Sequence, residues 1–333
     1  MRAIRLHSFG PADHLVHEWT EDPVPGPGQV RIAVAAAGVH LLDTALREGL
    51  SGPYPAPAEL PTIPGREVAG TVESLGEGTD PGWLGKRVVA HIGMVPGGYA
   101  ELTVTEADKL HEIPPGLDEA AAVAMIGTGR TTLGILAFTD LGPDSVAIVP
   151  AAAGGIGTLL VQYAKNAGAT VIGLAGGPAK VAAVRANGAD LAADYTLPDW
   201  PQQVGAYLDT IGRRATVVYD SVGGATGRAA VDLLGPGGQH IVFGWSGEGL
   251  HDGQPLTFTD QELSERGITS EGVLGPVMLR KAGGLRALET RALAEAAAGR
   301  LRPAVQRFPL AEAAAAHRAL ENRATMGKVV LIP

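Results

Sequence analysis

The sequence predicts an α/β protein that combines a β-rich domain with a parallel sheet covered by helices on both faces. Residues 1 to about 120 hold short alternating segments separated by Pro/Gly clusters, such as residues 23–28. From about residue 120, short apolar segments alternate with helical ones to about residue 300, as in a doubly wound sheet. The last stretch, ending in an apolar strand at 328–332, returns to the first style. We therefore expect the β-rich domain to be discontinuous.

Two domains are expected because 333 residues exceed one ordinary core. We assign residues 1–122 and 300–333 to the β-rich domain and residues 123–299 to the parallel α/β domain. Apolar runs predict the parallel strands of the second domain at 145–149, 170–174, 191–194, 215–219, 239–243 and 268–273.

Composition excludes several classes of function. The net charge is −9, from 26 basic and 35 acidic side chains, with no basic run, so nucleic acid and anionic membranes are poor partners. The absence of cysteine rules out disulfides, thiolate metal sites and cysteine nucleophiles. The start alternates like a strand instead of showing an apolar signal-peptide core, and Gly or Pro interrupts the longest apolar stretches well before the roughly 18 residues that a membrane span needs. These features favour a cytoplasmic protein.

The strongest local signal is a buried strand at 146–149, a turn of small residues at 151–157 and a helical segment from Thr158. Such a turn leaves backbone N–H groups at the helix N-terminus available to an anion, and the helix dipole adds positive charge there. The pattern Ala152-x-Gly154-x-x-Gly157 resembles a dinucleotide pyrophosphate site, with alanine at its first position. Small-residue turns also occur for packing alone. The expected pyrophosphate contacts are Ala152, Gly154, Gly155, Ile156 and Gly157.

The segment after the second strand indicates which dinucleotide is bound. An NAD site usually has Asp or Glu there, but this strand runs into residues 175–178, Ala-Gly-Gly-Pro. Lys180 lies in the first turn of the next helix, where an anionic ligand would offset its repulsion by the dipole. Tyr195 follows the third strand and can donate its hydroxyl. We therefore predict NADPH instead of NADH; the alternative is a solvated Lys180 and a packed Tyr195.

Six short motifs in order are similar to the medium-chain dehydrogenase/reductase superfamily, in its zinc-free quinone oxidoreductase branch. The similarity spans essentially the whole chain. It implies an NADPH-dependent reductase with a GroES-like catalytic domain and a Rossmann NADPH-binding domain. The motifs lie at residues 36–44, 63–70, 97–101, 151–157, 217–223 and 322–328.

The resemblance also implies site residues. Lys180 and Tyr195 match the contacts of the family to the 2′-phosphate. The positions that match contacts to the ribose, phosphates or nicotinamide are Thr131, Ser221, Phe243, Gly244, Ser246 and Arg323. Arg323 also makes physical sense, because a fork-shaped guanidinium suits a phosphate.

Zinc-dependent members of the superfamily take catalytic ligands from three places, which are His40, Arg66 and Gly127 here. Only one possible ligand remains, and a guanidinium would repel Zn²⁺, so we predict no metal. Without a Lewis acid, alcohol oxidation is disfavoured. A quinone or an α,β-unsaturated carbonyl is the better substrate, because conjugation spreads the charge that arrives with hydride. The protein then supplies orientation and a hydrogen-bond donor.

Three residues are candidates for catalysis. Tyr54 matches a Gly-x-Tyr-Pro segment with two extra residues; in enoyl reductase relatives that tyrosine is thought to donate a proton, although packing is the alternative. His40 replaces an asparagine common in the quinone reductases, and either hydrogen-bonds ribose or substrate or fills the former metal space. Asp43 caps or orients its neighbours, or contacts the cofactor.

Two further residues bear on the substrate pocket. Arg66 adds a positive charge that favours an acidic or thioester-linked substrate, or it pairs with Glu67 or Asp43. Trp245 offers an aromatic face for a flat substrate, or it packs in the ordinary way.

Three functions remain open at this point: a quinone or enone reductase, an enoyl-thioester reductase of polyketide or fatty-acid type, and a non-catalytic NADPH-binding protein. The resemblance implies a homodimer through the sixth strand, residues 268–273, whose unpaired edge would otherwise be a liability.

Overall fold

The computed structural model describes residues 1–51, 56–93, 97–248 and 253–333. The strands are β1 (Arg2–Leu6), β2 (Leu15–Trp19), β3 (Gln29–Val39), β4 (Glu67–Leu75), β5 (Arg87–His91), β6 (Leu102–Glu106), β7 (His111–Glu112), β8 (Val146–Val149), β9 (Thr170–Ala175), β10 (Leu191–Asp194), β11 (Ala215–Asp220), β12 (Leu234–Val242), β13 (Thr269–Gly272), β14 (Val305–Pro309) and β15 (Lys328–Ile332).

Helices connect these strands. They are α1 (Leu41–Arg47), α2 (Glu119–Ala124), α3 (Arg130–Leu136), α4 (Gly155–Asn166), α5 (Pro178–Ala186), α6 (Trp200–Thr210), α7 (Gly224–Val231), α8 (Asp260–Arg266), α9 (Pro276–Lys281), α10 (Leu285–Ala297) and α11 (Ala313–Glu321).

The chain forms two compact units. The first contains Met1–Gly129, Glu289–Ala298 and Pro303–Pro333, and the second contains Arg130–Leu288 and Gly299–Arg302. The first unit is therefore built from both ends of the chain.

The first unit is β-rich. Its main sheet has the order β14-β15-β3-β4-β5-β7, β6 pairs with β3, and β1 and β2 form a separate antiparallel pair. Val30, Ile32 and Val34 on β3 alternate with more exposed residues, so one face of the strand is buried, as its period of two requires. Ala313 and Ala316 of α11 join the same core.

The second unit is a six-stranded parallel sheet in the order β10-β9-β8-β11-β12-β13. Numbered along the chain this is 3-2-1-4-5-6, the order of the doubly wound dinucleotide-binding fold. All four residues of β8 are buried, which explains their continuous apolar run. The predicted fold class, a Rossmann-type sheet with a separate GroES-like β-rich domain, is confirmed.

All six predicted strands are present, with ends that differ by one residue at most, except that β12 begins at Leu234 instead of 239. Residues 235–238, Gly-Pro-Gly-Gly, have the composition of a turn, and they bulge out of the pairing with β11, which passes from Leu234 opposite Ala215 directly to Gln239 opposite Val217. A register shift between Ala215 and Val217 accommodates them. In the described ranges, no helix is both long enough and apolar enough to cross a membrane.

Candidate functional site

The turn between β8 and α4 forms a cradle of backbone. Gly154 caps α4 and has no side chain to accept hydrogen bonds from the first helical turn. A Cβ on Gly157 would lie 2.4 Å from the carbonyl oxygen of Ala151, so only glycine fits there. Ala151 adopts a left-handed backbone with φ of 50°, a conformation that costs a non-glycine residue energy. The turn thus has the shape and the polarity for a pyrophosphate.

The ends of β9 and β10 lie beside this cradle. Lys180 is the third residue of α5, and the ring of Tyr195 lies 3.3 Å (Cε2) from where a Cβ of Gly176 would be. The two predicted 2′-phosphate contacts therefore follow adjacent strands of the sheet.

Asp194, at the end of β10, was not identified from the sequence. Its Oδ1 accepts hydrogen bonds from the N–H of Gly177 (3.0 Å), the N–H of Thr196 (3.0 Å) and the Oγ1 of Thr196 (2.6 Å). The pKa of this carboxyl is lowered, first by the Gly177 bond and then by those from Thr196. Three donors thus hold the carboxylate in the turn. The Asp-x-Thr spacing is a signal that could have identified it.

The loops after β11 and β12 are joined to each other. Both the N–H and the hydroxyl of Ser246 donate to the carbonyl of Ser221 at 3.0 Å. The N–H of Gly247 donates to Val222 at 2.7 Å. A Cβ on Gly244 would lie 2.9 Å from the Ser221 carbonyl oxygen, so the loops meet at van der Waals distance. Trp245, in the same loop, is 38% exposed.

The remaining predicted cofactor contacts lie elsewhere. Phe243 is buried and follows β12 directly, with its N–H bonded to the carbonyl of Asp220 at 2.9 Å. Thr131 is in the first turn of α3, after a π-helical turn at Met125–Gly129. Arg323 follows α11 with a left-handed φ of 54°.

In the first unit, His40 belongs to a cluster with Glu67 and Lys328. Oε2 of the fully buried Glu67 lies 2.6 Å from Nε2 of His40 and 3.0 Å from Nζ of Lys328. The same Nζ lies 2.9 Å from Nε2 of His40. His40 is the exposed member, with 31% of its side chain accessible. A ring nitrogen has one in-plane bonding position, so Nε2 bonds either the carboxylate or the ammonium at a given moment.

This cluster decides whether a catalytic zinc fits. A Cβ on Gly127 would lie 2.0 Å from Oε1 of Glu67, so two of the three ligand positions of zinc-dependent relatives border Glu67. The third position, Arg66, carries a guanidinium, and the ammonium of Lys328 contacts both His40 and Glu67. A catalytic zinc needs three protein ligands and no neighbouring cation, so the residues do not fit one. Across the described ranges, no group of three or more His, Asp or Glu side chains is arranged to hold a metal ion.

Asp43 lies in a second buried network. It accepts hydrogen bonds from the N–H of His40 (2.8 Å), from Nη2 of Arg66 (2.6 Å) and from the hydroxyl of Tyr99 (3.0 Å). The capping role expected for Asp43 is thus visible, and the geometry favours the ion-pair interpretation of Arg66. Neither Tyr99 nor its neighbour His317 was identified from the sequence.

Burial sets the protonation of this network. It raises the pKa of Tyr99 and lowers that of His317 to about 4. Nε2 of His317 lies 3.3 Å from the Tyr99 hydroxyl, and its Nδ1 lies 3.4 Å from the guanidinium of Arg47. Arg47 can only donate, so Nδ1 accepts and the proton of the neutral ring is on Nε2. Tyr54, the remaining catalytic candidate, lies outside the described residues.

Both units match known families. Residues 26–115 match the family described as alcohol dehydrogenase GroES-like domain, and residues 155–280 match the family described as zinc-binding dehydrogenase.

Three full-length relatives agree with these matches. A quinone oxidoreductase of Pseudomonas aeruginosa is 34% identical, with 100% of this chain and 99% of the relative covered. A 2-haloacrylate reductase of Burkholderia is 32% identical, with 98% of each chain covered. The crystal structure of Escherichia coli quinone oxidoreductase complexed with NADPH superimposes with a TM-score of 0.83 at 29% identity, covering 100% of both chains.

Proposed function

Because the chain belongs to the zinc-free, quinone oxidoreductase-like branch of the medium-chain dehydrogenase/reductase superfamily, we propose that it is an NADPH-dependent reductase. Its substrate is a quinone or an α,β-unsaturated carbonyl compound, and no metal takes part. The observation that carries the proposal is the tight turn between β8 and α4, where Gly154 at the N-cap has no side chain to bond the first N–H groups of the helix. The Pseudomonas and Escherichia coli relatives support it.

The parallel sheet supplies the cofactor contacts at the carboxyl ends of its strands. The first turn of α4 binds the pyrophosphate with backbone N–H groups. Lys180 and Tyr195 bind the 2′-phosphate. Lys180 and the hydroxyl of Tyr195 favour NADPH over NADH, and β9 itself ends without a carboxylate to accept from a ribose 2′-OH. Thr131, Ser221, Phe243, Gly244, Ser246 and Arg323 contact the ribose, phosphates or nicotinamide.

The bound nicotinamide supplies hydride. The chain then has to orient the acceptor and stabilise the negative charge that develops on its oxygen. We assign the hydrogen-bond donor to His40, because it is the exposed member of a cluster that holds an ammonium. When Nε2 of His40 accepts from the ammonium of Lys328, 2.9 Å away, the proton of a neutral ring is on Nδ1, and that N–H is the donor towards an oxyanion.

Four residues complete the proposed site. Asp43 orients His40 by accepting its backbone N–H. Arg66 belongs to the proposed substrate pocket, where its ion pair with Asp43 offsets most of its charge. The Burkholderia relative, which is named for an unsaturated acid, supports an α,β-unsaturated carbonyl compound as the acceptor. Trp245 stacks on a flat acceptor, and Tyr54 is a second candidate proton donor.

We further propose that the protein is a cytoplasmic homodimer. β13 is the last strand in the sheet order, and its outer edge offers backbone groups for pairing with a second copy. Light scattering at micromolar concentration tests the dimer, and a monomeric mass excludes it.

The substrate class is tested by following NADPH oxidation in stopped flow with three acceptors: 1,4-benzoquinone, a simple enone and an enoyl-thioester. Turnover of the quinone or the enone is expected. Turnover of the thioester alone would replace the proposal with an enoyl-thioester reductase. Tight NADPH binding without turnover of any acceptor would indicate a non-catalytic binding protein.

A further inference from the structure

A buried carboxylate lies beneath the joined loops that follow β11 and β12. Asp220, the last residue of β11, is fully buried. Its Oδ1 accepts hydrogen bonds from the N–H groups of Val222 (2.8 Å) and Gly223 (2.9 Å). Its Oδ2 lies 3.2 Å from Nε2 of His240, which is also fully buried. Asp220 therefore fixes the turn that its own strand leads into.

His240 links Asp220 to the next strand of the sheet. Nδ1 of His240 lies 2.9 Å from the hydroxyl of Ser270, which faces His240 directly in the register of β12 and β13. A carboxylate only accepts, so Nε2 of His240 carries a proton and donates it to Asp220. The hydroxyl of Ser270 can pair with Nδ1 as donor or acceptor, so the link to β13 holds for either protonation state of the ring. A single hydrogen-bonded chain thus crosses three neighbouring strands.

Packing leaves the carboxylate little freedom. A Cβ on Gly227 of α7 would lie 2.5 Å from Oδ2 of Asp220, so the helix backbone closes over it. Phe258 meets the ring of His240 edge-on, with centroids 5.6 Å apart. The hydrogen-bonded chain is therefore closely packed at Asp220 and at His240.

The turn that Asp220 fixes supports the neighbouring loop. The carbonyls of Ser221 and Val222 accept the hydrogen bonds from Ser246 and Gly247. Without the carboxylate, the two N–H groups of the turn would lose their acceptor and its carbonyls would no longer be fixed. The loop that holds Ser246 would then lose its anchor.

The sheet order indicates which part of the cofactor depends on these loops. β9 and β10, which carry the 2′-phosphate contacts, lie on one side of β8, whereas β11 and β12 lie on the other. A dinucleotide that crosses at β8 with its 2′-phosphate at Lys180 must extend its nicotinamide half over β11 and β12.

We infer that Asp220, held by His240 and Ser270, is a positioning residue for the nicotinamide half of the cofactor. It acts by fixing the turn at residues 221–223 and, through it, the loop that contains Ser246. This inference rests on the proposed NADPH-dependent function.

Two ligands separate the two halves of the site: NADPH and 2′,5′-ADP, which has the 2′-phosphate but no nicotinamide. Asp220→Ala is expected to raise the Kd for NADPH about tenfold, while the Kd for 2′,5′-ADP stays within about twofold. Asp220→Asn keeps an acceptor for both N–H groups and should hold the NADPH Kd within about threefold of wild type. Both constants are measured by fluorescence titration.

Two variants calibrate the measurement. Lys180→Met removes a proposed contact to the 2′-phosphate, which both ligands carry, and should weaken the binding of both. Asp232→Ala removes an exposed carboxylate of the same unit, 57% accessible, and should change neither Kd.

Ser270→Ala removes the hydrogen bond between Ser270 and His240 and should raise only the NADPH Kd, by about threefold. It tests the inference even where Asp220→Ala fails to fold.

The outcomes distinguish the inference from the function. If the wild-type protein binds neither ligand, the proposed function is wrong. If the wild type binds NADPH, and both Asp220→Ala and Ser270→Ala bind it with the wild-type Kd, the inference is overturned. Equal weakening of both ligands by Asp220→Ala, without rescue by Asp220→Asn, also overturns it, because that pattern indicates general disruption.

Discussion

Nζ of Lys328 lies 2.9 Å from Nε2 of His40, although the two residues are 288 positions apart in the chain. Both contact Oε2 of Glu67, so an ammonium and an imidazole meet at one buried carboxylate oxygen. In zinc-dependent relatives the position of His40 supplies a metal ligand. In this chain the ammonium of Lys328 supplies the positive charge next to His40.

The first prediction concerns the stability of this cluster. Lys328→Met leaves the carboxylate of Glu67 buried without its ammonium and should lower the free energy of unfolding by about 3 kcal/mol. The double variant Lys328→Met/Glu67→Gln removes both charges and should recover at least half of the loss. Equilibrium urea unfolding measures both variants. A cost below about 1 kcal/mol for the single variant would show that the pair contributes little.

The second prediction concerns Arg323, which holds a left-handed backbone with φ of 54° at the end of α11. Glycine adopts this conformation without the cost of about 1 kcal/mol that a side chain carries. Arg323→Gly should therefore be about 1 kcal/mol more stable than Arg323→Ala, since both lose the same guanidinium. Both variants should bind NADPH more weakly than wild type. If either variant bound NADPH with wild-type affinity, Arg323 would not be a contact to a phosphate of the cofactor.

The third prediction concerns the cradle. Gly157→Ala places a Cβ 2.4 Å from a backbone oxygen, so the turn must shift. We expect a loss of about 1–3 kcal/mol in the free energy of unfolding and weaker NADPH binding. Gly205→Ala, in α6 of the same unit, meets open space and should stabilise the protein by about 0.5–1 kcal/mol. Opposite shifts of the thermal midpoint check the pair; a neutral Gly157→Ala would contradict the close packing of the turn.

The fourth prediction concerns pH. Burial lowers the pKa of His317 from 6.5 to about 4. Between these values the unfolded chain binds a proton that the folded protein does not, so this contribution to stability is lost as the pH falls through that window. The loss should reach about 3 kcal/mol. His317→Gln should remove that part of the pH dependence, whereas His7→Gln, at a side chain that is 48% exposed, should not. Urea unfolding at several pH values measures the difference, and identical profiles for wild type and His317→Gln would refute the assignment.

The fold was largely accessible from the sequence because it depends on periodicity and turns. The apolar run of β8 and the small residues after it identify the strand, the turn and α4, and the six parallel strands follow from the same kind of pattern. The start of β12 was misplaced because Gly-Pro-Gly-Gly is typical of turns, whereas here it forms a bulge inside the strand, with Leu234 already paired to Ala215 before it.

The buried polar networks were not accessible in the same way. Lys328 is 261 residues from Glu67, and His317 is 218 residues from Tyr99. Local patterns do not indicate which polar side chains of distant segments face each other, since that depends on register and packing. Asp220 and His240 are separated by 20 residues, yet their pairing also requires the β11–β12 register. Arg66 illustrates the same limit, because its pairing with Asp43 was one of two open alternatives.

The most direct test of the account is to measure NADPH oxidation with 1,4-benzoquinone by protein whose metal content has been determined by elemental analysis. We expect turnover with NADPH by protein that contains no stoichiometric zinc, and no change on adding a chelator or zinc. Activity that requires zinc, or a protein that does not bind NADPH, would contradict the central claim.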